Sequence, residues 1–375
     1  MSLGPMIVRY RAEHGAEVAR LQTALWSSDP SENARYFAWK YQRNPWAVDP
    51  PRIYVAVRGE EVIGMRGFFE SRFEVRTGGP SVSIPLADDL AIRAAERNRG
   101  LASRILRSGL SDLAESGCEY VVSLSAGMVT SLSSLALGWK SAVRYEPLER
   151  RDAGLAPRIW LRERMARTPL LWRASRSRLL FSRAERNPFA RLDAMTGRLE
   201  LRIEAQPRCD QMAQLVADLP HDGRLRHVRS EPYLAWRFGN PMYEYRFLYA
   251  EGTAGLDGYL VLSSRVMGDT EPGRVHLCDL EGRSPRIRAG LLETAIEHCG
   301  FADLVVWGVT LRGGERATLL GRGFALSDPR AAVRGHPAAL VCSTRNRAPA
   351  EWSLCEHPLL DPGSWDLRML DSMAA

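Results

Sequence analysis

An internal repeat constrains this chain more than any other feature. Tyr36-Phe37-Ala38-Trp39-Lys40-Tyr41 followed by Asn44-Pro45 matches Tyr233-Leu234-Ala235-Trp236-Arg237-Phe238 followed by Asn240-Pro241. The series continues in the same order: IYVAVRGEEVIGM with RFLYAEGTAGLDGYL, PLADDL with VHLCDL, YVVSLS with LVVWGV, and Leu135 to Gly138-Trp139 with Leu320 to Gly323-Phe324. Chance supplies one such match; a colinear series marks a duplicated domain. A chain of 375 residues is also too long for one ordinary core and comfortable as two.

Within the first copy, a short strand (IVRYR) leads into an amphipathic helix with Val18, Leu21, Leu25 and Trp26 at helical spacing. A second, capped helix ends at Asn44-Pro45. Alternating apolar residues on either side of the Gly59-Glu60-Glu61 turn predict a β-hairpin, and SRFEVR and SIPLADDLAI are the next strands. The latter runs into a basic loop, an amphipathic helix, the strand YVVSLSA and a short helix ending at Gly138-Trp139. The expected division is a first domain over 1–150, an Arg-rich insert over 151–200, a second domain over 201–345 and a tail over 346–375.

The net charge of +7 is local: residues 151–200 hold twelve arginines against Asp152, Glu163, Glu185, Asp193 and Glu200, which accounts for all of it. That concentration argues against a nucleic-acid partner for the chain as a whole. Apolar residues interleaved with the arginines read as a helical linker packed on the domains, with a surface for anionic lipid, polyanionic glycan or nucleic acid as the alternative. Lysine is nearly absent, Lys40 and Lys140 being the only two. No apolar run reaches the ~20 residues of a membrane span, and the N-terminus has no secretion-signal pattern, so the expected compartment is the cytoplasm. The six cysteines and seven histidines show no zinc or metalloprotease spacing, so no metal is expected.

Residues 90–106, LAIRAAERNRGLASRIL, run strand, glycine-containing basic loop, helix. Backbone N–H groups at the start of a helix have no intrahelical partner, and the helix dipole adds positive potential, so such a turn suits a phosphate or pyrophosphate. Gly100 removes a blocking Cβ, Ala102 keeps the next position small, and Arg97 and Arg99 bring charge to the rim. Arg97-Asn98-Arg99-Gly100-Leu101-Ala102 fits the R/Q-x-x-G-x-G/A pyrophosphate motif of the GNAT superfamily of N-acyltransferases, and its placement after LADDLAI resembles that family's order of elements. The resemblance covers roughly residues 7–148 with the motif and 201–345 by repeat alone. It implies an α/β fold of two tandem GNAT-like domains, each a central, mostly antiparallel twisted mixed sheet flanked by helices.

The same resemblance implies that acetyl-CoA or another acyl-CoA is held by backbone N–H groups from Asn98 to Ser103. Leu90, Ala91 and Ile92 would pair with the pantetheine arm. Transfer to an amine needs a proton acceptor, and Asp88 and Asp89 are the candidates. Alternation along a strand sends them to opposite faces, so one of the two is expected to meet the acceptor. Spacing to the motif favours Asp89 slightly, while Asp88 stands where the second copy has Cys278. The position where many members carry a leaving-group tyrosine is Ser134 here. The second copy's loop, Gly282 to Gly290, fits no register of the motif and should not bind a second cofactor. Trp39, Trp236, Tyr36 and Tyr233 suit packing better than an acceptor pocket, and Ser123, Ser125 and Ser131 carry low weight as cofactor contacts.

The expected activity is acyl-CoA-dependent N-acetyl transfer to the amine of a small molecule, an amino sugar or cell-envelope precursor being suggested by the YxAW[KR][YF]…NP elements. The alternatives are a Fem-type transferase drawing on charged transfer RNA, against which the intact phosphate loop argues, and a non-catalytic acyl-CoA-binding scaffold. Oligomeric state is not encoded in any of these features.

Overall fold

The computed structural model describes residues 4–76, 78–125, 128–152, 189–192, 199–267, 274–299, 301–327, 338–345 and 347–373. The first half supplies strands β1 (Met6–Arg9), β2 (Ile53–Arg58), β3 (Glu61–Phe69), β4 (Leu86–Ile92), β5 (Tyr120–Ser123), β6 (Lys140–Arg144) and β7 (Pro147–Arg151). The second supplies β8 (Phe189–Leu192), β9 (Leu199–Glu204), β10 (Tyr243–Gly252), β11 (Gly255–Arg265), β12 (Arg274–Gly282), β13 (Asp303–Trp307), β14 (Ala325–Leu326) and β15 (Ala338–Ser343). Its helices are α1 (Gly15–Leu21), α2 (Pro30–Phe37), α3 (Leu101–Glu115) and α4 (Met128–Ala136), then α5 (Cys209–Asp218), α6 (Glu231–Phe238), α7 (Pro285–His298) and α8 (Gly313–Gly321).

Two large mixed sheets result, ordered β1-β2-β3-β4-β5-β15-β6 and β8-β9-β10-β11-β12-β13-β7-β14. Each has taken one strand from the other half of the chain. β15 lies antiparallel between β5 and β6, with Val341 opposite Val122 and Ala339 opposite Val143. Reciprocally, β7 lies between β13 and β14, with Val305 opposite Glu149. A duplicated domain can make this exchange at no cost in register, because each copy presents the same edge to the other's last strand.

A further small sheet joins the halves, since the expected strand around Arg72–Glu74 pairs with Leu225–His227 of the second half rather than entering the first large sheet. On the line between the copies, the repeat-related tryptophans meet. The Trp39 and Trp236 rings stack with centroids 4.7 Å apart, and each indole donates to the other's carbonyl, at 2.6 and 2.7 Å. Trp26 and Trp39 flank Tyr36, and Trp46 stacks on Tyr233, so these aromatics pack the join, as their repetition suggests.

The segment expected as a C-terminal tail is built into the core. Leu359, Trp365, Leu367, Arg368, Leu370 and Met373 are all buried. Most of the Arg-rich stretch expected as a helical insert, 153–188 and 193–198, lies outside the described residues; β8, which falls inside that stretch, is a strand. Among the described residues no helix is long and apolar enough to cross a membrane.

Candidate acyl-CoA cleft and its carboxylate pair

β4 and β5 are parallel but pair only at Leu86 and Val122, so beyond that point they splay and β4 turns a free edge to the gap. The register between β3 and β4 breaks between Met65 and Gly67, which places a bulge at Asp89 and Leu90. A bulge bends a strand and re-aims its side chains, here at the mouth of the splay.

The loop that follows ends in Asn98 (φ 61°) and Gly100 (φ 73°), both left-handed. Glycine adopts that geometry freely and asparagine more readily than most residues. Gly100 caps α3 without a side-chain bond, and the first intrahelical bond runs from Arg104 N to Gly100 O. The N–H groups of Leu101, Ala102 and Ser103 therefore stand at an uncapped helix start, where an anion satisfies them. A cleft of about 540 Å³ opens here. It is lined by Leu90, Ala91, Ile92, Arg97, Asn98, Gly100, Leu101, Ala102 and Ser103, every residue expected at the cofactor site except Arg99. Arg99 is largely exposed and off the lining, 3.8 Å from the lining residue Glu96.

The sequence reading missed the rest of the lining: Ala24 and Leu25 after α1, Glu96 just before the motif, Ser133 and Ala136 of α4, and Leu137 after it. Glu96 is fixed by a forked pair from Arg58, at 2.7 and 3.0 Å. Ser134, at the family's tyrosine position, is buried and off the lining, whereas its neighbour Ser133 is on it.

Asp88 and Asp89 do not diverge to opposite faces as strand alternation predicts. The bulge and the positive φ of Asp89 (53°) bring both carboxylates to one ammonium, Lys40 Nζ, at 2.6 Å from Asp88 and 3.1 Å from Asp89. Lys40 reaches them from a π-turn, Ala38–Gln42, in which Arg43 N bonds Ala38 O. Such wide turns recur at functional sites because they push side chains out of helical register.

The two carboxylates differ in company. Asp89 also accepts from Trp26 Nε1 (2.9 Å), Tyr41 OH (2.8 Å) and Gln22 Nε2 (3.3 Å), and its side chain has no exposure. Asp88 accepts from the Asp89 amide (2.9 Å) and from Ser125, and keeps 11% of its side chain accessible. Burial works to raise Asp88, but Lys40 and its hydrogen bonds outweigh it and hold the group below the ordinary carboxylate range. Burial likewise raises Asp89, where Lys40 opposes and the Asp88 charge reinforces it, and there the rise prevails.

The second copy has the same bones and a closed site. Ser284 caps α7 by accepting from Ile287 N (3.3 Å), and the neighbouring carbonyl of Gly282 is taken by Arg288 (2.8 Å). Leu280, the counterpart of Leu90, has its carbonyl bonded by Arg368 (3.0 Å). Arg237, at the Lys40 position, donates to Leu370 O, Ser372 O and Tyr245 OH. The C-terminal segment thus covers the strand edge that the first copy leaves open.

The profile of the acetyltransferase (GNAT) family matches residues 18–137. Residues 18–137 are a GNAT acetyltransferase domain. No curated protein matches the chain. Among solved structures, a probable N-acyltransferase from Enterococcus faecalis V583 aligns with TM-score 0.57 at 10% identity, covering 91% of this chain and 73% of that one. A GCN5-related N-acetyltransferase from Anabaena variabilis ATCC 29413 aligns at 0.56 with 11% identity, over 91% and 73%. A tandem GNAT protein from the clavulanic acid biosynthesis pathway aligns at 0.51 with 10% identity, over 92% of this chain and 100% of that chain. At these identities the likeness is one of fold, and it extends the GNAT architecture across both copies.

Proposed function

We propose that the protein is an acetyl-CoA-dependent N-acetyltransferase with one working site, in the first copy, acting on the amine of a small molecule such as an amino sugar or envelope precursor. The observation that carries this reading is the cleft. A free β4 edge at Leu90–Ile92 continues into an uncapped helix start at Gly100–Ser103, matching an acyl-CoA's arm and pyrophosphate in order and chemistry.

Backbone N–H groups of residues 98–103 hold the pyrophosphate, and the β4 edge orients the thioester. Of the two carboxylates, Asp88 is the proton acceptor: it has the lower affinity for its proton and the accessible side chain, while Asp89 is enclosed by its donors. A thiolate leaves without prior protonation, which accommodates a buried serine at position 134. The chain therefore divides into two copies with exchanged last strands, one catalytic and one closed.

Calorimetric titration with acetyl-CoA tests this, beside Gly100→Glu. A Cβ at position 100 meets no protein atom within 4 Å, so the glutamate carboxylate is expected to occupy the phosphate site, on a strained φ. One-to-one binding by the wild type, lost in the variant, is the expected result; no binding by the wild type refutes the reading.

A further inference from the structure

Lysine is scarce in this chain, and one of its two lysines is placed where an arginine would not serve. Lys140 is exposed, whereas Lys40 is wholly buried. Its ammonium stands 5.2 to 5.4 Å from the ring centroids of Phe69, Tyr36, Trp26 and Tyr41. A compact cation fits such a box and still meets two carboxylates; a planar guanidinium spreads its donors in a fork. The second copy illustrates the contrast, since Arg237 at the same repeat position uses its fork on two backbone carbonyls and a tyrosine, with no carboxylate among those partners.

One ammonium facing two carboxylates forces a division of labour. Asp89 is held by three further side-chain donors, so its place is fixed whether or not Lys40 is charged. Asp88 has Ser125 and a backbone amide besides Lys40, and it alone keeps access to the outside. The other groups facing Asp88 are Arg66 on β3, Tyr36 and Tyr41 around the π-turn, Asp89 beside it and Tyr243 on β10. Arg66 bears on Asp88 by its charge, and its buried Nε has no hydrogen-bond partner.

We propose that Lys40 is a positioning residue for acyl transfer: its ammonium keeps Asp88 an ionised, fixed proton acceptor, with Asp89 as the anchor that holds the ammonium in place. The proposal rests on the assignment of Asp88 as proton acceptor. Removing the cation should raise the pH at which Asp88 takes up its proton, and with it the acid limb of the pH–rate profile.

The test uses full-length Lys40→Met, with the Asp88 carboxyl followed by ¹³C NMR and an amine-acceptor assay run across pH. The Asp88 midpoint should rise by about one to three pH units. The acid limb should rise with it, and acetyl-CoA affinity should stay within about twofold. A folded variant whose midpoint does not move overturns the proposal. Should Lys40→Met fail to fold, Lys40→Gln gives the second arm: the Asp88 midpoint must rise there too, and an unchanged or lowered midpoint in the folded variant overturns the proposal. Failure of the acyl-CoA reading is separately visible, as an Asp88 midpoint that responds to Lys40 in a protein that does not bind acetyl-CoA.

Discussion

The tryptophan pair between the copies makes a quantitative prediction about what joins them. Trp39→Phe keeps a ring on Trp236 but removes the indole donor to the Trp236 carbonyl. That carbonyl is not left bare, because Gly239 N also donates to it at 3.1 Å, so the loss is that of a net hydrogen bond, about 1 kcal/mol, rather than of a buried orphan. The smaller ring forfeits part of a stacked contact worth about 0.5–1.5 kcal/mol. We expect Trp39→Phe to cost about 1–2.5 kcal/mol in urea unfolding, and Trp236→Phe the same within about 0.5 kcal/mol, since the two bonds are reciprocal. Trp39→Ala should cost about 3–5 kcal/mol. A double-mutant cycle on the two phenylalanine variants should return a coupling of about 1 kcal/mol. Strict additivity, or single variants differing by more than about 2 kcal/mol, would refute the idea that the pair acts as one symmetric clamp.

Two other measurements probe the architecture. Residues 1–152 expressed alone lack β15, so β5 and β6 lose the strand between them; this fragment should aggregate and should become soluble when coexpressed with 199–375, and a soluble, acetyl-CoA-binding fragment would contradict a structural need for the exchange. Asp371 is raised to about 7, chiefly by burial, and one of its oxygens has no partner. With the folded-state value above the unfolded one, the native state binds the extra proton between about pH 4 and 7, so this group's contribution falls as pH rises through that window. Asp371→Asn should therefore be more stable than the wild type at pH 8 and lose that advantage near pH 4; a difference independent of pH would refute the assignment.

What the sequence determined by itself was local or repeated. The loop from Arg97 to Ser103 is readable because its function needs only a few consecutive residues: a glycine at positive φ, small neighbours and the first N–H groups of a helix. The duplication is readable because it is written twice. Tertiary structure decided the rest. Nothing local tells β7 and β15 that each will pair in the other's sheet, since an alternating strand specifies a face to bury and not the chain that buries it. Strand alternation sent Asp88 and Asp89 to opposite faces, and a bulge set by the β3–β4 register brought them to one ammonium instead. Lys40 stood out by composition, yet its role depends on a π-turn and on carboxylates 48 and 49 residues away. The C-terminal segment, expected as a tail, is part of the core. Its burial depends on the second copy's strand edge, where Arg368 satisfies the Leu280 carbonyl.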